Sequence, residues 1–300
     1  MSLRSTVLGI DAAWTPTGST GLVLAESLGN QAGRVLRVAR SYREFVAGGT
    51  SATAWSGSPI VGNTPLTDVL AAARDLTDTL PAVIALDIPL SPVPITRRRA
   101  ADDLVSRNYG SRRAATHSPT DTRPGTVASY LFAALTQAGY HWQGVGSVAD
   151  GPATSPLVFF ETYPHAAIVE LLGLSERLPY KVARASRYLP SASPAERRTY
   201  LAANLDLLRD RLAERLENLR EVTPSATDLV AAGVRGRLKA LEDALDAAVC
   251  AVVALDHLAG RAIAYGDSTS AIWLPQPAPL TGNESLGRPS PMRRAVPPVT

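Results

Sequence analysis

Apolar residues near the start of the chain follow the pattern of three neighbouring strands. Residues 6–11, 20–25 and 35–42 are rich in Val, Leu and Ile, and the turn-forming residues 15–18 lie between the first two runs. Strands joined by so short a connection pair in antiparallel fashion. The pattern therefore predicts a three-stranded antiparallel meander.

Two later apolar runs predict buried strands. Residues 82–87 and 157–161 are almost continuously apolar until each ends in an acid, as expected of strands covered on both faces. Residues 65–80 carry apolar side chains at helical spacing, and Pro164 can begin another helix after the last strand. Together these elements predict an α/β fold with a mixed five-stranded sheet and flanking helices.

The remaining segments predict additions to this sheet. Residues 91–156 and 174–236 interrupt the pattern and are expected to be helical insertions, and residues 195–221 carry a leucine stripe typical of a docked helix. A last helix is predicted from about residue 237 to residue 265, followed by Gly266. We therefore expect one domain over residues 1–266. The proline-rich residues 267–300 are expected to be a disordered tail, of which residues 272–274 can dock.

Composition narrows the class of protein. The chain has 300 residues, 45% of them hydrophobic, and a formal charge of +3, and only two of its 30 basic residues are lysines, Lys181 and Lys239. Its single cysteine, Cys250, excludes an intrachain disulfide and a cysteine-cluster metal site. No apolar run approaches the roughly 20 residues that span a bilayer. We expect a cytoplasmic protein that does not contact membranes.

Acidic residues stand where apolar elements should be buried. Asp11, Asp87 and Glu161 end strand-like runs, and Asp243 and Asp246 begin a stripe that turns apolar along the last helix. Because an isolated buried carboxylate is very costly, such groups are normally paired, protonated or bound to metal. Carboxylates gathered around Mg²⁺ or Mn²⁺ are the simplest explanation. Strand-end capping by Asp11 and helix-dipole stabilisation by Asp243 and Asp246 remain the alternatives.

The order of these elements resembles the ribonuclease-H-like fold. More closely, residues 6–266 are similar to a family of predicted nucleases known as domain of unknown function 429. The resemblance is carried by the segments Leu8-Gly9-Ile10-Asp11-Ala12-Ala13-Trp14, Ala85-Leu86-Asp87-Ile88-Pro89-Leu90, Arg99-Ala100-Ala101-Asp102-Asp103, Glu161-Thr162-Tyr163-Pro164-His165 and Asp243-Ala244-Leu245-Asp246-Ala247. The last of these also looks like the final motif of Holliday-junction resolvases, whose catalytic acids come from the first strand, the fourth strand and this helix.

This resemblance implies that Asp11, Asp87, Asp243 and Asp246 are catalytic metal ligands. Two divalent ions can activate a water and stabilise the leaving oxygen of a phosphodiester. We expect Asp11 to bridge the ions, Asp87 and Asp246 to bind one ion each, and Asp243 to be an auxiliary ligand. Water would then be the nucleophile, so no serine or cysteine nucleophile is required.

Further candidate residues have structural alternatives. Glu161 is expected to be a fifth catalytic acid, and His165 a proton shuttle or substrate contact, although both residue types are also common as purely structural groups. Arg98, Arg99 and His117 follow Asp87 in a basic segment that could contact phosphates, but its acids can also neutralise it internally. Trp14 could stack on a base or pack under a turn.

The sequence thus predicts a divalent-metal-dependent nuclease that acts on DNA or RNA. One alternative is a ribonuclease-H-like protein that binds partners without catalysis. A second is an ATPase or kinase of the actin-like fold, suggested by Gly9, Asp11 and Gly18. The segment from Leu86 to Ser91 disfavours that class because it lacks the second glycine-rich phosphate loop. Protein partners are not predicted.

Overall fold

The computed structural model describes residues 5–14, 19–51, 54–60, 64–146, 157–233 and 237–277. The predicted turn at 15–18 and the tail beyond residue 277 lie outside these ranges. Nine strands of the described chain form one mixed sheet. The strands are β1 (Thr6–Asp11), β2 (Gly21–Gly29), β3 (Ala32–Ala39), β4 (Val83–Leu86), β5 (His141–Trp142), β6 (Val158–Thr162), β7 (Leu216–Glu217), β8 (Ala262–Gly266) and β9 (Ala271–Pro275).

Ten α-helices surround the sheet in the same ranges. They are α1 (Tyr42–Val46), α2 (Leu66–Thr77), α3 (Ala100–Tyr109), α4 (Thr126–Gln137), α5 (Pro164–Leu171), α6 (Ala185–Tyr188), α7 (Pro194–Ala213), α8 (Leu219–Val222), α9 (Ala226–Ala231) and α10 (Arg237–Leu258). Short 3₁₀ helices lie at Ala54–Ser56 and Val182–Arg184. No helix among the described residues is long and apolar enough to cross a bilayer.

The strand order is β7-β3-β2-β1-β4-β6-β9-β8, and β5 also pairs with β6. The predicted meander is present, because β1, β2 and β3 pair antiparallel. Strand β4 lies parallel to β1, and β6 lies parallel to β4. A mixed α/β fold with flanking helices is therefore confirmed. The predicted count of five strands is wrong for the described sheet.

Physical reasons explain why the sequence pattern did not predict the four additional strands. β5 and β7 have two residues each and are too short to produce a periodic sequence pattern. The last helix ends at Leu258 rather than near residue 265, because Gly260 takes the left-handed conformation (φ +67°) that terminates helices. Residues 262–266 then form β8. The segment 272–274, expected to dock, lies within β9, so the folded sheet extends past residue 266.

Helix α10 is the centre of the fold and lies across β1, β2 and β4. Its side chains from Ala240 to Asp256 are all buried, since the sheet covers one side and other helices cover the other. Val7 belongs to the core on the α10 face, whereas Leu8 and Ile10 belong to the core that includes α2 and α4. Because strand side chains alternate, Asp11 points to the same face as Val7, towards α10.

Two glycines let α10 lie directly on the sheet. A Cβ at Gly9 of β1 would clash with the backbone of Ala247 and Ala251, and one at Gly21 of β2 would clash with the backbone of Asp243. Only glycine allows backbones to approach this closely without rearrangement. The two glycines thereby bring the first turns of α10 to the end of β1, where the candidate site lies.

Candidate functional site

Three carboxylates meet where β1 ends under α10. Oxygen atoms of Asp11, Asp243 and Asp246 all lie within 4.8 Å of one another. Asp243 and Asp246 are almost completely buried, and Asp11 is half-buried. The three-residue step between Asp243 and Asp246 puts both on one side of the helix. The structure therefore brings together three of the four acids that the sequence predicted as metal ligands.

Asp87, the fourth predicted ligand, lies beside this group on the neighbouring strand end. Residues Ile10 and Leu86 are paired in the parallel ladder, and the Asp87 amide donates to the Ile10 carbonyl at 2.8 Å. Burial raises the pKa of Asp87 to about 7, and the negative charge of Asp246 adds to this effect, while Lys181 opposes it. Asp87 thus belongs electrostatically to the cluster, although it lies outside the closest trio.

Asp11 is strongly affected by its neighbours. Burial raises its pKa well above the usual value, and the charges of Asp243 and Asp246 raise it further. Within the described chain, no residue donates a hydrogen bond to the carboxylate of Asp11 or of Asp87. The buried Oδ2 atom of Asp243 also has no hydrogen-bond partner among the described residues. The cluster therefore holds oxygen atoms that the surrounding protein leaves unsatisfied.

Both lysines of the chain contact this acidic group. Lys181 pairs with Asp246 and, at 3.3 Å, with Glu242. Lys239 pairs with Asp243 and, at 2.9 Å, with Glu242. Buried Glu242 also accepts a hydrogen bond from the Val182 amide. Two ammonium groups thus face five carboxyl groups, those of Asp11, Asp87, Glu242, Asp243 and Asp246.

An aromatic path leads away from Asp246. The Tyr180 hydroxyl donates to Asp246 at 2.5 Å, and the Tyr180 ring lies against His165, which in turn lies against Tyr163. Burial lowers the pKa of His165 well below its usual value, with Lys181 the next cause, so the imidazole is neutral. No described residue forms a hydrogen bond with its buried Nδ1 atom. His165 therefore lies behind the acidic cluster, in contact with the tyrosine that binds Asp246.

Glu161, predicted as a fifth catalytic acid, belongs to a different network. It is paired with Leu86 across β4 and β6, so its side chain points to the face away from α10. Arg99 donates to both of its oxygens, at 2.6 and 2.8 Å, and the Leu90 amide donates at 2.8 Å. Asp102 accepts two more bonds from the Arg99 guanidinium. Glu161 is not among the carboxylates that gather around Asp11.

The predicted substrate contacts divide into two groups. Arg99 is buried in the network just described, and Arg98 pairs with Asp103 at 2.6 Å. Trp14 is half-buried, with the Arg123 guanidinium 5.4 Å above its ring, and the exposed His117 contacts Arg184 at 2.9 Å. Arg98 and Arg99 thus form ion pairs with acids of the protein itself, whereas Trp14 and His117 lie near the surface.

Sequence reasoning missed Tyr180, Lys181, Lys239 and Glu242. Tyr180 and Lys181 lie in a predicted insertion whose path to the cluster has no local signal. The rarity of lysine was visible, because arginine supplies all the other basic residues. A chain that uses arginine almost everywhere and lysine only at these two positions selects a compact ammonium group there.

Comparison with known proteins identifies a family but no characterised relative. Neither the curated proteins nor the solved structures contain a significant match to the chain. A family model described as "Protein of unknown function (DUF429)" matches residues 9–270, which include the whole acidic cluster. The chain therefore belongs to the DUF429 family.

Proposed function

We propose that this protein is a divalent-metal-dependent phosphodiesterase that hydrolyses nucleic acid with water as the nucleophile. The observation that carries this proposal is the trio Asp11, Asp243 and Asp246, whose oxygens lie within 4.8 Å of one another. Within the part of the chain that the structure describes, the buried Asp243 Oδ2 has no partner. A buried carboxylate oxygen without a donor is costly. A cation at this point would satisfy it.

The residues fit a hard divalent ion. The ligand atoms are all carboxylate oxygens, which Mg²⁺ and Mn²⁺ prefer. Asp11, Asp243 and Asp246 would hold one ion, and Asp87, on the adjacent strand end, would complete a second position with Asp11 as the shared ligand. When bound, such ions make water a stronger nucleophile and stabilise negative charge on the leaving oxygen.

The chain's own groups prepare the site in defined ways. Tyr180 and Lys181 hold the two oxygens of Asp246, and Lys239 holds one oxygen of Asp243. These bonds fix the carboxylates and leave Asp243 Oδ2 and Asp11 available. Lys181 also brings a positive charge to a position where it would favour an anionic substrate.

The single thiol of the chain, Cys250, is unsuited to act as a nucleophile. Cys250 is completely buried under the cluster, its sulfur lies 3.7 Å from the Ile10 carbonyl, and burial raises its pKa well above the usual value. The thiol is therefore protonated and closed to substrate. This supports water as the nucleophile.

The fold is consistent with the proposal. An antiparallel meander followed by two parallel strands, with acids at the ends of the first and fourth strands and on a helix across them, is the arrangement on which the resemblance to ribonuclease-H-like nucleases rests. We infer that the central strands β3, β2, β1, β4 and β6 form such a core. The other four strands extend it at the two edges.

The test is hydrolysis of labelled single-stranded and double-stranded DNA and RNA in Mg²⁺ or Mn²⁺. We expect cleavage by the wild type and at least a roughly 100-fold loss in Asp11→Asn and Asp246→Asn, since each removes a metal ligand. Asp68→Asn, an exposed change on α2, is the matched control and should cleave normally. Wild type and Asp11→Asn cleaving at the same rate would refute the proposal.

A second function is favoured by the two lysines. Lys181 and Lys239 partly neutralise the acids without any metal, as in a structural ion network. A protein of this kind would bind a partner without catalysis. It predicts that Asp11→Asn leaves binding unchanged and that millimolar Mn²⁺ does not raise the melting temperature.

A further inference from the structure

A group of arginines without acidic partners lies beside the candidate site. Within the described ranges, Arg123, Arg177 and Arg184 form no ion pair. Eight other described arginines of the same insertions are paired with acids, among them Arg98 with Asp103, Arg99 with Asp102 and Glu161, Arg112 with Glu170, and Arg113 with Glu176. Five further described arginines also form no ion pair: Arg97, Arg107, Arg187, Arg197 and Arg198.

Arg184 contacts His117, and the charges of all three arginines act on its imidazole. A guanidinium nitrogen of Arg184 lies 2.9 Å from the His117 Nε2 atom. Because guanidinium can only donate, Nε2 is the acceptor and the imidazole is neutral. Burial lowers the pKa of His117, followed by the charges of Arg184, Arg123 and Arg177. Three positive charges therefore act on one exposed imidazole, with no carboxylate among the causes of the shift.

This basic group adjoins two chain segments that carry residues of the acidic cluster. On one side, Arg184 is the last residue of the 3₁₀ helix Val182–Arg184. This helix begins directly after Lys181, which pairs with Asp246. On the other side, Arg123 lies over the ring of Trp14, three residues after Asp11. Arg184 and Arg123 thus lie next to the chain segments that carry Lys181 and Asp11.

Tyr163 links the two regions. Its hydroxyl donates to the Ala115 carbonyl at 3.1 Å and so holds the loop that carries His117. Burial raises the pKa of Tyr163, Asp87 raises it further, and Arg177 is the largest opposing charge. The pKa of this one tyrosine is therefore affected by both the acidic cluster and the arginine group.

Free arginines next to free carboxylates require an explanation. Asp11 and Asp87 accept no hydrogen bond from any described residue, yet the nearby arginines do not pair with them. The insertions hold the two signs of charge apart. A ligand that needs both is a polyanion that binds a metal ion at one phosphate and guanidinium groups at the next.

We propose that Arg123, Arg177 and Arg184, together with His117, form a subsite for a phosphate of a nucleic-acid strand next to the phosphate at the aspartate cluster. Within this subsite, Trp14 offers a ring on which a base can stack, backed by Arg123. The proposal rests on the proposed function for the identity of the ligand. The phosphate contact itself needs no metal ion.

The experiment measures binding of a fluorescent single-stranded oligonucleotide by anisotropy in EDTA, at several salt concentrations. The double variant Arg177→Gln/Arg184→Gln is compared with Arg43→Gln/Arg74→Gln. The control removes the same charge from two exposed arginines, on α1 and α2. Melting temperature and circular dichroism confirm that both variants fold.

We expect at least tenfold weaker binding for the subsite variant and less than twofold for the control. The slope of log K against log salt should fall by about 1.4 in the subsite variant, because each lost contact with a single strand contributes roughly 0.7. Arg123→Gln, at an exposed position, gives a second variant that should weaken binding about threefold, the usual order for one charge contact.

Equal losses in the subsite and control doubles would overturn the proposal, because they would reflect general charge alone. Wild-type protein that binds no oligonucleotide in EDTA would also overturn it. The failure of the nuclease proposal is distinguishable. It would appear as absent cleavage in Mn²⁺, whereas a selective loss of binding in Arg177→Gln/Arg184→Gln would still support the phosphate subsite.

Discussion

Two buried charged clusters lie at neighbouring strand ends of one sheet, and they differ in how far their carboxylates are satisfied by hydrogen bonds and counter-ions. Around Arg99, the guanidinium binds Asp102 and Glu161, and a backbone amide supplies a further donor to Glu161. Around Asp11, two ammonium groups face five carboxyl groups, and no described residue donates a hydrogen bond to the Asp243 Oδ2 atom. The first cluster is complete and the second is not.

This difference distinguishes a cluster that stabilises the fold from one that can bind a ligand. A fully bonded polar network fixes the chain and has nothing to offer a ligand. An incomplete one is costly, and folds keep such sites where they bind something. The comparison therefore favours a structural role for the Arg99 cluster and supports the proposal that the Asp11 cluster binds metal, and mutation can test each role.

The largest effect on stability should come from Arg99→Ala. This change leaves two buried carboxylates without their counter-ion, and removal of one partner of a buried ion pair typically costs about 3–5 kcal/mol. Urea unfolding measures the loss. The control is Arg113→Ala, which breaks an exposed pair with Glu176 and should cost below about 1 kcal/mol. Similar losses for the two variants would contradict the structural role of Arg99.

Gly9→Ala tests the close approach of α10 to the sheet. The added methyl group meets the backbone of Ala247 and Ala251, so the helix must move. We expect a loss of about 1–3 kcal/mol, as for other overpacked cores, together with weaker Mn²⁺ binding. Gly57→Ala is the matched control, since its nearest neighbour atom would lie at 3.5 Å. A Gly9→Ala variant as stable as Gly57→Ala would refute the contact.

Lys181→Met sharpens the comparison at the incomplete cluster. The change removes a cation that holds Asp246 and would repel an incoming ion. Mn²⁺ should bind at least tenfold more tightly, about 1.4 kcal/mol, while the metal-free protein should unfold at lower denaturant concentration. Calorimetry and urea unfolding measure the two quantities. Weaker Mn²⁺ binding in Lys181→Met would show that the positioning of Asp246 by the lysine outweighs the repulsion between the lysine and the ion.

The smallest effect is a pH dependence that involves Asp87. Its pKa rises from the ordinary 3.8 to about 7 on folding, so the folded state binds more protons than the unfolded state between these values. Stability contributed by this group is therefore present at low pH and lost as pH rises through about 7. In EDTA, urea unfolding at a series of pH values should show that Asp87→Asn gains stability relative to wild type between pH 5 and pH 8, by less than the linkage limit of about 1.4 kcal/mol per pH unit. A difference between the two proteins that does not change with pH would exclude this titration.

Much of the central fold could be predicted from the sequence. The runs that form β1, β4 and β6 are long and apolar, and each is followed by a sharp stop. The acids at those stops, together with the pair on α10, were also visible as exceptions to the apolar pattern. Strands β5 and β7 could not be predicted, because two residues carry no periodicity and pair only after the sheet exists.

The parts of the candidate site that the sequence could not predict also depend on the assembled fold. Asp87 and Glu161 look alike in sequence, since each ends a buried strand. Their side chains point to opposite faces because the strands pair in a register that local sequence does not encode. Lys181 reaches Asp246 from 65 residues away in the chain. Only the assembled fold shows which acids remain without partners.

The most direct test of the difference between the two clusters is calorimetric titration of Mn²⁺ into wild type, Asp11→Asn and Glu161→Gln. If the Asp11 cluster holds the metal and the Arg99 cluster does not, wild type and Glu161→Gln will bind Mn²⁺ with similar affinity, and Asp11→Asn will not bind. Binding that survives in Asp11→Asn, or is lost in Glu161→Gln alone, would contradict the assignment of metal chemistry to Asp11 and its neighbours.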